Sequence, residues 1–169
     1  GDKTIVTMIL IFMAAGVFVG TVGRDSAESV AYLMLSVIPA EYSVAVLFVV
    51  SCFVSLSMGT SVGTITLITP IAVAVSAASG FSLPLCVASV MGGAMFGDNL
   101  SFISDTTIAA TRTQECSMRD KFRVNGLIAV PAAAAVLGHY LLSGAEMPAA
   151  AQRQSVEWIP IIPYLAVLV

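Results

Sequence analysis

The sequence predicts an all-α, polytopic membrane protein, and two features of its composition indicate this. Hydrophobic residues make up 58% of the 169 residues and charged residues only 10%, whereas an ordinary soluble domain carries about 25% charged residues. The apolar residues form several uncharged runs, and about 20 apolar residues in a helix span a bilayer core. The lipid bilayer is therefore the first partner that we expect, and the net charge of −3 gives no support for nucleic acid as a partner.

The first two elements are predicted to be a full span and a short helix. Residues 4–22 contain no charged side chain, and at about 1.5 Å per residue they are long enough for a helix to cross the bilayer core. Asp25 and Glu28 have the spacing of a helix-capping box. This spacing predicts a short helix over 26–38, which Pro39 ends.

Residues 43–79 are predicted to form a helical hairpin. Two uncharged runs, 43–57 and 62–79, are joined by a short turn of small and hydroxyl-bearing residues. As a helix, the first run is only about 22 Å long, which is less than a bilayer core of about 30 Å. Two forms fit this pattern. One is a re-entrant hairpin, whose tip at membrane depth must lie inside protein or beside a cavity, and the other is a pair of spans with a tight turn in the interface.

The remaining elements are predicted to be a broken helix, an interfacial loop and two further spans. Residues 83–111 predict a broken transmembrane helix, because a glycine pair and a polar stretch divide the apolar run. The charges of 112–125 predict an interfacial loop, and 126–143 predicts a further span. The apolar run at 156–169 predicts a last, truncated span.

The polar stretch at 97–107 is the candidate site. It contains two aspartates, one asparagine and four hydroxyl side chains between apolar runs. Inserting a carboxylate into hydrocarbon costs about 2.5–3.5 kcal/mol, so two of them at membrane depth indicate a function. The side chains that we predict to bind a cation and a proton are Asp98, Asn99, Ser101, Ser104, Asp105, Thr106 and Thr107. The hairpin tip is predicted to add hydroxyl and carbonyl oxygens from Gly59, Thr60, Ser61, Gly63 and Thr64.

These residue types suit a small hard cation such as Na⁺, which takes carboxylate, hydroxyl, amide and carbonyl oxygens as ligands. We expect Na⁺ to bind at Asp98 and Asp105. Desolvation favours a protonated carboxylate and a bound cation favours an ionised one, so Na⁺ and H⁺ compete for such a site. Asp105, which lies among hydroxyl side chains, is preferred as the proton carrier, with Asp98 as a ligand or orienting group. Helix capping by these aspartates is an alternative that is compatible with ion binding.

The same stretch gives little support to an enzyme. An intramembrane aspartyl protease also uses two buried carboxylates, the second of them on another helix. Here the first glycine of its Gly-x-Gly-Asp signature is missing, and Asp105 is only seven residues from Asp98. A single histidine excludes a zinc site of the His-Glu-x-x-His type. We therefore expect no enzyme activity. A membrane scaffold that transports nothing is the alternative from another class.

Two motifs resemble those of the NhaC-type sodium/proton antiporter family. Residues 93–98 read GAMFGD and residues 104–107 read SDTT, close to the family's G-A-x-F-G-D followed by S-D-T-T. About thirty residues upstream, residues 59–64 read GTSVGT, which is similar to the family's G-T-S-x-G-T. The chain departs from the commonest pattern at Asn99, where many members have lysine, and at Phe102, where many have proline.

The resemblance implies exchange of Na⁺ for H⁺ by alternating access, with these two as the transported ions and no cofactor. It implies an ion-transporter-type fold of two inverted repeats, each with a re-entrant hairpin and a broken helix. This chain then corresponds to one repeat, so the remaining half of the transporter is an expected partner, and a homodimer is left open. The expected location is the inner (plasma) membrane, with multiple passes. Na⁺/H⁺-coupled exchange of organic anions such as malate or lactate is the alternative within this fold.

Overall fold

The structure, a computed structural model, describes residues 29–145 together with five positions of the first predicted span. Those five positions are helical and exposed: Val6, Ile9, Leu10, Met13 and Val17. The rest of 4–22, the predicted capping box at Asp25 and Glu28, and the predicted span at 156–169 lie outside the described residues. Within the described part, every regular element is a helix.

The described helices follow one another with short connections. In chain order they are α1 (29–37), a 3-10 helix (Ala40–Tyr42), α2 (Ser43–Met58), α3 (Ser61–Ser79), α4 (Leu83–Leu100), α5 (Asp105–Thr113) and α6 (Met118–Ala145). Among the described residues, four stretches are long and apolar enough to cross a membrane: Ala40–Met58, Ser61–Ser79, Leu83–Leu100 and Met118–Gly144. The prediction of an all-α, polytopic membrane protein is confirmed.

A tight turn at Gly59 and Thr60 joins α2 to α3. Gly59 ends α2 with a left-handed backbone (φ +69°), which glycine adopts without steric cost, and its N–H donates to the carbonyl of Ser55 at 2.8 Å. The hydroxyl of Thr60 caps α3 by accepting from the N–H of Gly63 at 3.4 Å. With the preceding 3-10 helix the first arm covers Ala40–Met58. Its length therefore fits both the re-entrant and the spanning form of the hairpin.

Helices α4 and α2 pack closely, because glycines of α4 leave few side-chain atoms between the two backbones. Gly93 faces the carbonyl of Phe48, and Gly97, one turn later, faces the carbonyl of Cys52. Small residues spaced four apart allow this close approach between helices in membranes. The contact brings the C-terminal end of α4, which carries Asp98, against the turn between α2 and α3.

An apolar core fills the space between α2, α3 and α4. Its buried side chains include Val44, Leu47, Val54, Leu67, Ile71, Val75, Cys86 and Val90. Helix α6 packs beside α2, α4 and the 3-10 helix, and Tyr140 meets Phe48 edge-on with ring centroids 5.6 Å apart. Most other side chains of α6 are exposed. The hairpin and α4 therefore share one core, and α6 joins it along one side.

The charged segment differs from the loop predicted over 112–125. Only residues 114–117 are non-helical there, and α6 begins at Met118. The reason is a helix cap: the Ser117 hydroxyl accepts from the N–H of Asp120 at 3.1 Å and donates to its carboxylate at 2.7 Å. This pairing stabilises the first turn of a helix. The charges of this segment therefore lie partly on the first two turns of α6.

Candidate ion-binding site

Asp98 lies in the last turn of α4, where serine hydroxyls from two other segments hold its carboxylate. Ser61, the first residue of α3, donates to Oδ2 at 3.1 Å. Ser104, in the break between α4 and α5, donates to Oδ1 at 2.7 Å. Asp98 is half-buried and Ser104 is buried. The structure thus brings the hairpin turn and the helix break together on one carboxylate.

The break covers residues 101–104, and Ser104 ends it as the N-cap of α5. The Ser104 hydroxyl accepts from the N–H of Thr107 at 3.4 Å and lies 2.7 Å from the Thr106 hydroxyl. Because the single Ser104 hydroxyl proton points to Asp98, Thr106 is the donor in that second contact. The first turns of α3 and α5 both lie at this carboxylate, and the partial positive charge of a helix N-terminus stabilises an anion.

Ser101 connects the break to the end of α2 by a hydrogen bond. Its hydroxyl donates to the carbonyl of Leu56 at 2.9 Å and accepts from the N–H of Ile103 at 3.4 Å. Ile103 packs on the hairpin turn, since a Cβ atom added to Gly59 would lie 2.7 Å from Ile103 Cγ1. The Ser101 hydroxyl is therefore bonded to backbone groups, and its role in the structure is to hold the break in place.

We expect Gly59→Ala to lower the melting temperature of the complete protein in detergent. Alanine in the left-handed region costs about 1–2 kcal/mol, and its Cβ would lie 3.1 Å from the backbone nitrogen of Ser104, which adds about 1–3 kcal/mol of overpacking. Gly80→Ala is the matched control, because Gly80 has φ +83° but open space around the added atom. Equal losses of melting temperature in the two variants would contradict the contact between turn and break.

The side chains of Asn99 and Asp105 lie apart from the serine contacts of Asp98. The amide of Asn99 donates to the carbonyl of Met95 at 3.0 Å, on the exposed side of α4. Asp105 is the exposed first residue of α5, and its carboxylate has no hydrogen-bond partner among the described residues. An acidic group in this first turn stabilises the helix through its dipole.

The predicted hairpin tip reaches the site through Ser61. The turn and the first turn of α3 contain the other predicted tip residues, Gly59, Thr60, Gly63 and Thr64. The buried Thr64 hydroxyl donates to the carbonyl of Thr60 at 2.9 Å. Within the described residues, the tip therefore contributes one hydroxyl to Asp98 and otherwise stabilises its own turn.

A basic side chain from the charged segment, for which only a loop was predicted, also reaches this region. Lys121 Nζ donates to the backbone carbonyl of Asn99 and, at 2.7 Å, to the hydroxyl of Thr107. Its charge interacts with that of Asp98. The capping pattern at 117–120 predicts the start of a helix here, but it does not predict that Lys121 reaches the break.

The group around Asp98 supplies oxygen atoms of the kinds that hard cations bind: one carboxylate, several hydroxyls and backbone carbonyls. Asp98 is the one acidic side chain in this group, since its neighbours Ser61, Ser104 and Thr106 contribute neutral hydroxyls. No three His, Cys, Asp or Glu side chains lie together in the part of the chain that the structure describes. A site of that kind, which transition metals prefer, therefore gains no support there.

Comparison with known proteins decides the family. The sequence model of the Na⁺/H⁺ antiporter family matches residues 1–143 of this chain. The chain belongs to the Na⁺/H⁺ antiporter family. The resemblance carried by its motifs is thereby confirmed, and membership of this family indicates a transporter rather than an enzyme. The family and the four long apolar helices in the described part of the chain indicate a multi-pass membrane protein.

Two relatives illustrate how far the similarity extends. A Haemophilus influenzae protein described as uncharacterized is 35% identical over 108 residues, which are 63% of this chain and 21% of that protein. The malate-2H(+)/Na(+)-lactate antiporter of Bacillus subtilis is 29% identical over 126 residues, which are 73% of this chain and 27% of that protein. The matched regions thus cover about a quarter of these relatives or less. No solved structure matches the chain significantly.

Proposed function

We propose that this chain holds the cation- and proton-binding site of a secondary transporter that exchanges Na⁺ for H⁺, with Asp98 as the exchanging carboxylate. The observation that carries the proposal is the pair of hydroxyl contacts to Asp98, from Ser61 at 3.1 Å and Ser104 at 2.7 Å. These contacts join a hairpin turn and a helix break, two of the irregular segments that connect the helices. Membership of the Na⁺/H⁺ antiporter family supports the same function.

The chemistry of exchange follows from one carboxylate in a poorly solvated place. An ionised carboxylate is costly there unless a positive charge accompanies it. Na⁺ satisfies it with the help of neutral oxygens, for which Ser104, Thr106 and Thr107 are the candidate neighbours, and a proton satisfies it covalently. Because the two occupants exclude each other, a site that opens alternately to the two sides exchanges one for the other.

The membrane placement is part of the same proposal. Irregular backbone at membrane depth is tolerated where it lines a cavity or is buried in protein, and broken helices with opposed ends form the ion sites of many transporters. We place the α2–α3 turn and the α4–α5 break at such a depth in the plasma membrane, with the hairpin re-entrant. A second, inverted half of the transporter, outside this chain, would complete the site.

Coupled exchange of organic anions is the second candidate function. The observation that favours it is the 29% identity to a relative whose name describes malate-2H(+)/Na(+)-lactate antiport. A carboxylate substrate would need a cationic or hydrogen-bonding partner. Asp98 is unsuited to that role, so an anion site would have to use other groups.

The complete protein in liposomes with an internal pH-sensitive dye separates the two candidates. We expect an imposed Na⁺ gradient, with no organic anion present, to drive proton movement in the opposite direction, and choline in place of Na⁺ to drive none. Proton movement that appears only when malate or lactate is added would favour the second candidate. No Na⁺-dependent proton movement under any of these conditions would contradict both.

A further inference from the structure

The ammonium group of Lys121 bridges the two sides of the helix break. It donates to the backbone carbonyl of Asn99, in the last turn of α4, and at 2.7 Å to the hydroxyl of Thr107, in the first turn of α5. Asn99 directly follows Asp98 in the chain. A positive charge from α6 therefore lies at the break and interacts with the charge of the carboxylate that we propose exchanges Na⁺ for H⁺.

Aromatic packing holds this lysine in place. The ring of Phe122, next to Lys121 on α6, stacks on Phe102 in the break, with centroids 3.8 Å apart. The ammonium also lies 5.1 Å from the centroid of the Phe122 ring, within range of a cation–π attraction. Together with the Ser117 cap at the start of α6, these contacts restrict a side chain that would otherwise sample many rotamers.

The partners of Lys121 are ligands of the types that a hard cation takes. A carbonyl oxygen and a hydroxyl oxygen accept from it, and the Asp98 charge attracts it. The carbonyl belongs to the C-terminal turn of α4, where helix carbonyls lack intrahelical partners and carry partial negative charge. The ammonium therefore interacts with oxygens, and with a charge, that would otherwise favour Na⁺.

We propose that Lys121 is a tethered cation that weakens Na⁺ binding at Asp98 and so sets the affinity at which the transporter works. The inference rests on the function proposed above. One carboxylate neutralises one positive charge, so Na⁺ at Asp98 and the ammonium of Lys121 repel each other. A transporter must release its ion as well as bind it, and this repulsion favours release.

The test is radioactive-sodium binding to the complete protein in detergent, at alkaline pH, where protons compete least. We expect Lys121→Met to bind Na⁺ about tenfold more tightly than the unmodified protein, since a neighbouring unit charge in a partly buried site changes ion affinity by at least this order. Lys121→Gln, which keeps a hydrogen-bond donor but loses the charge, should shift affinity in the same direction. Lys121→Arg, which keeps the charge, should stay within about twofold.

Arg123→Met provides the matched control, because Arg123 is an exposed cation on the same helix, and we expect it to leave Na⁺ affinity unchanged. A purely structural role for Lys121 predicts weaker binding and a lower melting temperature in the neutral variants, and that result would overturn the inference. Equal tightening in Arg123→Met would also overturn it, because the effect would then be a general one of net charge. If the unmodified protein itself bound no Na⁺, the proposed function would fail together with this inference. If it bound Na⁺ but the neutral variants bound it no more tightly, only this inference would fail, so the two failures are distinguishable.

Discussion

Asp98→Asn is expected to reduce Na⁺-driven proton flux to the level of protein-free liposomes. The substitution keeps the size of the side chain and one oxygen acceptor, so at least one of the contacts to Ser61 and Ser104 can persist. It removes the negative charge and the exchangeable proton. At an effective dielectric constant of about 20, losing a unit charge at about 4 Å removes about 4 kcal/mol of attraction for a cation, or about a thousandfold in affinity. Dye-reported proton flux in liposomes measures the loss.

Asp105→Asn is the matched control for this substitution. Asp105 differs from Asp98 in being exposed and in having no hydrogen-bond partner among the described residues, so we expect most of the flux to persist. The converse pattern, with Asp105→Asn inactive and Asp98→Asn active, would transfer the exchanging role to Asp105, the residue that the sequence favoured. Equal activity of both variants would remove the exchange site from this stretch altogether.

The meeting of two distant polar segments was predictable because each one interrupts an apolar run. A turn such as 59–61 and a polar stretch such as 97–107 cannot face lipid with their backbone groups unsatisfied, so the two have reason to pack against each other. The structure pairs them through Ser61 and Asp98. Which hydroxyl bonds which carboxylate depends on side-chain directions at a helix break, and residue spacing does not determine those directions.

The distinction between Asp98 and Asp105 shows this limit. Seven residues separate them, which would place them on one face of a continuous helix, but residues 101–104 break that helix. Asp98 then lies in the last turn of α4, bonded to Ser104, and Asp105 is the exposed first residue of α5. Asp105 has hydroxyl residues as its neighbours in the sequence, but the hydroxyls of Ser61 and Ser104 bind Asp98 in the structure.

The placement of Lys121 depends on a tertiary contact that local sequence does not reveal. A dense charged segment is ordinarily a solvated loop, and 112–125 was interpreted in that way. The capping pair Ser117 and Asp120 starts α6 within the predicted loop. The stack of Phe122 on Phe102 then places the beginning of α6 against the break. Local capping rules predict the helix start, but the aromatic pairing arises only once α4, α5 and α6 have packed.

Gly97→Ala is expected to have the largest effect on stability. A Cβ atom at this position would lie 2.6 Å from the Cβ of Ser55, 2.7 Å from the backbone nitrogen of Leu56, and still closer to the carbonyl of Cys52. Two of these three atoms belong to the backbone of α2 and cannot move aside as a flexible side chain would. The helices must separate, which costs about 3 kcal/mol or more and moves Asp98 away from the hairpin turn. Chemical unfolding of the complete protein in mixed micelles measures the loss.

Gly92→Ala separates this collision from the general effect of adding a methyl group to α4. Its Cβ would lie 3.6 Å from the ring of Phe48, an ordinary van der Waals distance, and alanine favours a helix over glycine by up to about 1 kcal/mol. We therefore expect Gly92→Ala to match or exceed the unmodified protein in stability and to keep its proton flux. If Gly97→Ala were equally well tolerated, the backbones of α2 and α4 would not be in direct contact at this point. The position of Asp98 beside Ser61, and with it the proposed exchange site, would then lose its structural basis.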